Sequence, residues 1–560
     1  MLTENFRSRA ILSIVLWIGL LPGAAPAAFA QLKISSNPHY FKDGSTVIPL
    51  VGYSAEYLPH VTRPTKKNDL VTLESYQDFI KEIKARGLNT MQLWVDLNHS
   101  IGIAVDGRMQ PYPAEQPFVW DVFQWRLDQF EPAFFTNLKN VIFYAASKGV
   151  FVEVTLFDPW SGVSIDSSVP TGQAWSSPWW ITNNVAGVHF TETRFFVSFD
   201  NGTADIDPDN QAARAAQLSL VQKTVTELNP YTNFYWQIAN EPDFDATRTE
   251  PDLNIDAMVN WHNAIATRIT TTESSLPNKH EIGVNFISKA ALESSVPLAS
   301  SIKIVNGHYV DVTGLPARFG GITAARKYNS TSTAINKLFG FNETRATPNP
   351  TDRMSARAEA WEHMLSEGGL YDNYALQWNV PNDQLKLCTD PTIGVPTQVR
   401  CDLGRITSFL APNPPLTFAS MVRQTGSKPS WITSGVVDYG TADPLSGSNK
   451  NTYWGAMQVT GSQYLFYYHH SNTSGKGGTR YLPVPGSYTR NFTFNLAGAA
   501  TGDFYKLEWF YYSPGSPTLQ STSIDSLFWG GTPVTKSTPV YNYDLALRMT
   551  KCPTHGVNCS

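Results

Sequence analysis

Between Thr46 and Asn379 the chain repeats one pattern eight times: a short apolar run, then a polar stretch, often with helical spacing. The runs are TVIPLVGYS (46–54), NTMQLWVDL (89–97), VFVEVTLFD (150–158), NFYWQIANE (233–241), HEIGVNFIS (280–288), IKIVNGHYV (302–310), KLFGFNE (337–343) and YALQWN (374–379). Each is too short for a buried helix and reads as a strand. In LESYQDFIKEIKARG, Tyr76, Phe79, Ile80 and Ile83 recur at i, i+3, i+4 and i+7, and Gly87 supplies a stop. FFTNLKNVIFYAASKG (134–149), QAARAAQLSLVQKTVTEL (211–228) and MSARAEAWEHMLSEGG (354–369) are helical in the same way. Alternation of this kind gives a parallel sheet with crossover helices, and eight units close into a (β/α)8 TIM barrel with long loops. A doubly wound open sheet is the competing fold. It would usually bring a glycine-rich phosphate loop after the first strand, and VGYSAEYLPHV has none.

After a helix around LGRITSFLAP (403–412) the helical spacing ends. NTYWGAMQV, QYLFYYHH, RNFTFNLAG, FYKLEWFYY and VYNYDLALRM are strand-like, with Gly, Pro and Ser clusters between them. This predicts an all-β antiparallel sandwich. The expected division is a signal peptide over 1–30, a barrel over 31–425 and the sandwich over 426–560. The signal is read from Arg7 and Arg9, the apolar run Ala10 to Leu21, and the A-x-A arrangement of Ala28 and Ala30. That run is short for a membrane span. The expectation is a secreted or periplasmic protein with no stable membrane insertion after cleavage.

An exported chain with four cysteines suggests disulfides, with three possible pairings. Cys388–Cys401 and Cys552–Cys559 would each close a short loop and are the favoured pairs. No CxxC pair is present, which weighs against a zinc site; no metal and no cofactor are expected. Net charge is −5 and only 16% of residues are charged, which argues against a nucleic-acid binder, normally marked by a basic face. Sixteen Trp and 24 Tyr suit a protein that stacks rings on neutral sugars, although most aromatics fill cores. A carbohydrate substrate and a monomeric state are expected.

In a barrel of this type chemistry sits at the C-terminal ends of the strands. Glu241 closes the fourth run and Glu343 the seventh, which puts both at the mouth. Glu367 ends a helix just before the eighth run and falls at the opposite rim, where a cap or turn role suffices. Two carboxyl groups about 5–5.5 Å apart are what retaining glycoside hydrolysis needs, one protonated to donate and one ionised to attack. Asn240 is placed to hydrogen-bond a sugar hydroxyl beside the reacting carbon. Taken alone, Asn240-Glu241-Pro242 is an ordinary turn, and Glu343 a solvated loop acid. Their positions in the eightfold pattern favour function. Trp94 and Trp160, near strand ends, are candidates for stacking on a sugar, as core packing would also explain; Tyr57, Asp158 and Phe286 are further groove candidates.

With IANEP at the fourth strand, FNE at the seventh and an aromatic on the eighth, the chain resembles clan A of the glycoside hydrolases. That clan includes the cellulase-like family 5 enzymes. The opening NPHYFKDGSTVIPLVGYSAEYL (37–58), the phrase GGLYDNYALQW and the strand YKLEWFYYSPGSP resemble an apiosidase-like subgroup that carries a C-terminal sandwich. The resemblance implies a retaining O-glycosyl hydrolase, endoglucanase- or β-glycosidase-like. It implies Glu241 as acid/base and Glu343 as nucleophile, with Asn240 gripping the sugar. His308 and Tyr309 would stand near the nucleophile, and Trp378 would floor the subsite before the cleaved bond. One departure is visible: Gln92 stands where many clan members carry an arginine aimed at the nucleophile. A non-catalytic carbohydrate-binding protein on the same barrel is the alternative, and two mouth carboxylates weigh against it. Metal-dependent hydrolysis is weaker still, with no HxxxH or clustered ligand set in the sequence.

Overall fold

Phe151–Phe157 runs FVEVTLF, and all seven residues are buried. A strand covered on both faces is what a central parallel strand must be. The computed structural model of the chain describes residues 30–53, 76–96, 102–105, 108–111, 116–121, 124–158, 178–179, 184–186, 208–242, 255–286, 295–308, 337–345, 350–374, 386–442, 451–474, 480–514 and 520–554. Eight strands close into a parallel barrel: β1 (Leu50–Tyr53), β2 (Thr90–Trp94), β3 (Phe151–Phe157), β4 (Phe234–Ala239), β5 (Ile282–Phe286), β6 (Ile302–His308), β7 (Leu338–Arg345) and β8 (Leu370–Tyr374). Each strand pairs with its sequence neighbours, and β8 closes on β1 through Leu370–Leu50 to Asn373–Tyr53. The described helices are α1 (Tyr76–Ala85), α2 (Pro132–Ser147), α3 (Pro208–Leu228), α4 (Ile255–Ser274), α5 (Pro350–Met364) and α6 (Val395–Leu410).

Local sequence explains the helix limits. The Glu131 side chain caps α2 by accepting the Ala133 N–H at 3.0 Å, Pro132 opens the first turn, and Gly149 at φ 72° lets the chain leave. Phe79, Ile80 and Ile83 form the buried stripe of α1, and Gly87 at φ 85° ends it.

Two strand limits differ from the sequence reading. The run 46–54 splits at Pro49. Thr46–Ile48 joins Leu32–Ile34 and Phe41–Asp43 in a small antiparallel sheet, and only Leu50–Tyr53 enters the barrel. Leu32 and Phe41 of that sheet pack against Leu50, Phe151, Tyr235, Ile304, Leu338 and Leu370, residues from the N-terminal parts of six barrel strands. The small sheet therefore closes the lower end. The eighth strand is Leu370–Tyr374, not 374–379. Asp372, two residues after the core residue Leu370, puts a polar group on the inward face, and Asn373 is a buried polar residue beside it, so the apolar pattern did not mark the strand. Glu367 precedes it at φ 68° and accepts the Arg423 N–H at 3.0 Å, a turn role at the lower rim as expected.

The C-terminal region is antiparallel. Val422–Arg423, β9 (Asn451–Val459), β10 (Gln463–Ser474), β13 (Asn542–Lys551), β11 (Asp503–Tyr512) and β12 (Gln520–Trp529) lie side by side in that order. Thr441–Ala442 and Arg480–Pro483 complete this sheet as short partners of β9 and β10. A second sheet of Ile432–Ser434, Asn491–Phe494 and Val534–Ser537 packs on it. Trp431, Ile432, Phe492 and Phe494 share one core with Tyr464, Phe466, Leu507, Leu545 and Leu547.

The Cys388–Cys401 disulfide is present. Cys552 is disulfide-bonded as well, and its expected partner Cys559 lies outside the described residues.

Candidate active site

Glu241 follows the last residue of β4 by two positions, and its backbone is bent into the left-handed region at φ 43°. For a residue with a side chain this conformation costs about 1–2 kcal/mol, and such strain collects at functional sites. Two hydrogen bonds hold the bend. Asn240 N–H donates to Phe157 O at 3.0 Å, and Glu241 N–H donates to Asn285 Oδ1 at 2.7 Å. The bend turns the Glu241 carboxyl inward, where it is 3% exposed.

Glu343 reaches the same place from β7. The ladder with β6 shifts between Gly307 and His308, so that His308 pairs with Glu343. The ladder with β8 shifts between Phe341 and Thr344. Such irregularities at a barrel rim re-aim side chains. His308 Nδ1 lies 2.8 Å from Glu241 Oε1 and 3.4 Å from Glu343 Oε2. One oxygen of each glutamate and one ring nitrogen of His308 all lie within 4.8 Å of one another. Two carboxyl groups this close resist joint ionisation, and the imidazole between them can carry or share a proton. The same three side chains also form a donor set for a divalent cation.

Asn240 is 3% exposed, and its Oδ1 is buried with no hydrogen-bond partner among the described residues. A buried acceptor in this position at the mouth is suited to a ligand hydroxyl. Trp94 ends β2 and is 6% exposed. Phe286, weighed as a groove residue, instead packs outward on α4, with its ring centroid 5.4 Å from that of His262. Tyr309, Trp160, Trp378 and Tyr57 lie outside the described residues.

Gln92, at the expected arginine position, points into the barrel. It donates to Glu153 Oε1 at 2.9 Å and to Thr155 Oγ1 at 3.2 Å. Sequence reasoning missed Glu153, Asn285, Asn306 and Asn342, which are all buried inside the barrel. Burial pushes the Glu153 carboxyl up to about 7, against the pull of hydrogen bonds from Tyr235, Asn342, Gln92 and Thr155. Asp96, just past β2, was missed as well. Burial raises it to about 8, with Asp158 adding to the rise and the Trp179 Nε1–H bond at 2.6 Å opposing it. A signal was available for both: an acid set in an otherwise apolar strand run.

No family model matches the chain, and no curated protein matches it. Solved structures do match. One described as a glycoside hydrolase is 10% identical, with 94% of this chain and 98% of that chain covered, at a TM-score of 0.53. A glycoside hydrolase family 5 protein from Bacteroides vulgatus is 10% identical, with 94% of each chain covered, at a TM-score of 0.52. Coverage this wide takes in both the barrel and the β-rich region. The chain has the fold of these glycoside hydrolase structures.

Proposed function

We propose that the chain is a secreted retaining glycoside hydrolase that cleaves O-glycosidic bonds in poly- or oligosaccharides. The observation that carries this reading is the meeting of Glu241, His308 and Glu343 at the C-terminal mouth of the barrel, with ligand atoms within 4.8 Å. Carboxyl oxygens within 4.8 Å of each other suit double displacement, whose two carboxyl groups stand closer than those of an inverting pair. In the first step Glu343 attacks the anomeric carbon and forms a glycosyl ester, while Glu241 gives its proton to the departing oxygen. In the second step Glu241 takes a proton from water. The water oxygen bonds to the anomeric carbon, and the ester bond to Glu343 breaks. Before substrate arrives, His308 Nδ1 stands 2.8 Å from Glu241 Oε1 and 3.4 Å from Glu343 Oε2, within reach of both groups. Asn240 Oδ1 accepts from a sugar hydroxyl beside the reacting carbon, a contact that tightens in the transition state. Tyr309, Trp94, Trp160 and Trp378 are proposed to complete the sugar site. Export accords with the disulfides, and no helix among the described residues is long and apolar enough to cross a membrane.

The test is turnover of a panel of aryl glycosides and polysaccharides by the wild type and by Glu241→Gln and Glu343→Gln. The reading expects a loss of at least about 10³-fold in both variants, with azide restoring turnover to one of them. An inactive wild type that still binds glycans would identify a carbohydrate-binding protein instead. A second reading rests on the same donor set, two carboxylates and an imidazole, which suits a catalytic zinc or manganese ion. Activity abolished by chelators and restored by the metal would favour it over double displacement.

A further inference from the structure

Glu153 sits on β3, two residues into the strand, and is 2% exposed at the centre of the barrel. Its carboxylate is surrounded by donors. Gln92 Nε2 bonds Oε1 at 2.9 Å and Asn342 Nδ2 bonds Oε1 at 2.6 Å. Asn306 Nδ2 bonds Oε2 at 3.2 Å, and the Tyr235 hydroxyl also bonds Oε2. No lysine or arginine bonds to it among the described residues. Of the ionisable groups that face it, Tyr235 comes from β4, and Asp372 on β8 acts in turn on Tyr235. A buried acid without a cation is a poor device for stability, since a well-packed apolar residue would serve better. What a carboxylate does well is accept at both oxygens, and so dictate which way neighbouring amides face.

We propose that Glu153 is a positioning residue for Glu241 and Glu343, acting through the side chains of Asn342 and Asn285. The polarity of the relay can be followed atom by atom. Glu153 and Gln237 Oε1, the latter at 3.0 Å, draw the Asn342 amide nitrogen inward. The Asn342 Oδ1 then faces Asn285 Nδ2 at 3.3 Å. With its nitrogen so engaged, and also bonded to Asn306 O at 3.3 Å, Asn285 presents Oδ1 to the Glu241 N–H at 2.7 Å. That bond holds the left-handed turn on which the Glu241 carboxyl depends. Asn342 also immediately precedes Glu343 in the irregular part of β7, so anchoring one aims the other. Above about pH 7, where Glu153 is ionised, both its oxygens accept; a glutamine at 153 would offer a donor there, and the orientation of every amide along the relay would lose its reference.

The kinetic consequence rests on the glycosidase reading; the structural consequence does not. Hydrogen exchange of the full chain, followed by mass spectrometry on peptides spanning Ile238–Glu241, reads the relay without any substrate. For Glu153→Gln the Glu241 amide is expected to exchange at least about tenfold faster, with amides of β1 and of the C-terminal sheets unchanged. Unchanged exchange at Glu241, or an equal acceleration throughout the barrel, overturns the proposal. On a turned-over substrate, kcat should fall with KM within about twofold. The Glu153→Gln/Asn285→Ala double variant should lose no more than the worse single one; additive losses overturn the relay. Should Glu153→Gln not fold, Asn342→Ala breaks the same relay one link on and is held to the same outcomes. A wild type inactive on every glycoside removes the glycosidase reading and leaves the exchange result to decide the relay.

Discussion

At the scale of single residues, four buried ionisable groups fall into two pairs of opposite sign. His262 and His363 are lowered by burial, to about 4 and about 3, from 6.5. Each stays neutral in the fold while the unfolded chain takes up a proton below pH 6.5, so stability is lost as pH falls through that range. Asp96 and Glu153 are raised by burial, to about 8 and about 7, from 3.8 and 4.5. Each keeps its proton in the fold while the unfolded chain releases it, so stability is lost as pH rises toward 7 and 8. Inside its own window each group contributes a slope of about 1.4 kcal/mol per pH unit. Between about pH 4.5 and 6.5 two slopes of each sign cancel. The expected profile of Tm against pH is therefore a plateau over that range, with a decline on both sides. Calorimetry across pH 3–9 checks it. Asp96→Asn, which still accepts from Trp179, should flatten the decline between pH 7 and 8, where Asp96 is the last of these four groups to titrate. A Tm that rises through that interval in the wild type would contradict the assignment.

At the scale of elements, α6 passes close against the end of α1. A Cβ on Gly404 of α6 would stand 1.7 Å from the Arg86 carbonyl oxygen at the end of α1, a backbone atom that cannot swing aside. Glycine in a helix interior costs about 1 kcal/mol against alanine, yet here it permits contact that alanine forbids. Gly404→Ala is expected to destabilise the fold by about 2–4 kcal/mol, read as a loss of midpoint in urea, because the two helices must part. Salt-bridge partners nearby would move with them: Arg86 bonds Glu82 at 2.7 Å, and Arg400 stands 3.4 Å from Glu82. Elements of this kind were legible to different degrees. Strands with wholly apolar outer faces, such as Phe151–Phe157 and Phe234–Ala239, announced themselves, and with them the positions of Glu241 and Glu343. Leu370–Tyr374 did not, because a barrel interior that includes Asp372, Asn306 and Asn342 defeats a search for alternating apolar residues. The amide relay was hidden for the same reason. Its members are spread over β3, β5 and β7, and only closure of the sheet brings them together.

At the scale of the molecule, the C-terminal sheet is buried on both faces along β9, β10 and β13. Along β10, Tyr464, Phe466 and Tyr468 enter the sandwich core, while the intervening Leu465 and Tyr467 enter the barrel core. Tyr467 stacks on Trp361 of α5 with centroids 5.4 Å apart, and Phe510 meets Phe409 of α6 at 5.0 Å. Between the two lies Arg357 of α5, buried, 2.7 Å from Asp544 and 3.8 Å over the Tyr512 ring. A contact surface with a core of its own is no hinge, and we propose that the sandwich braces the barrel. Two outcomes follow. A chain ending at Thr425 would uncover Trp361, Phe409 and the Arg357 charge together, and is expected to be insoluble or to aggregate. Asp544→Ala, which leaves the Arg357 charge buried without its carboxylate, should cost about 3–5 kcal/mol. That loss should register equally in barrel and sandwich, because a shared core makes unfolding one event. Urea unfolding followed by near-ultraviolet dichroism and by hydrogen exchange in β4 would show coincident midpoints shifting together. Two separate transitions, with the barrel midpoint unmoved by Asp544→Ala, would mean that the sandwich is carried by the barrel without supporting it, and its outer surface would then be the place to look for its purpose.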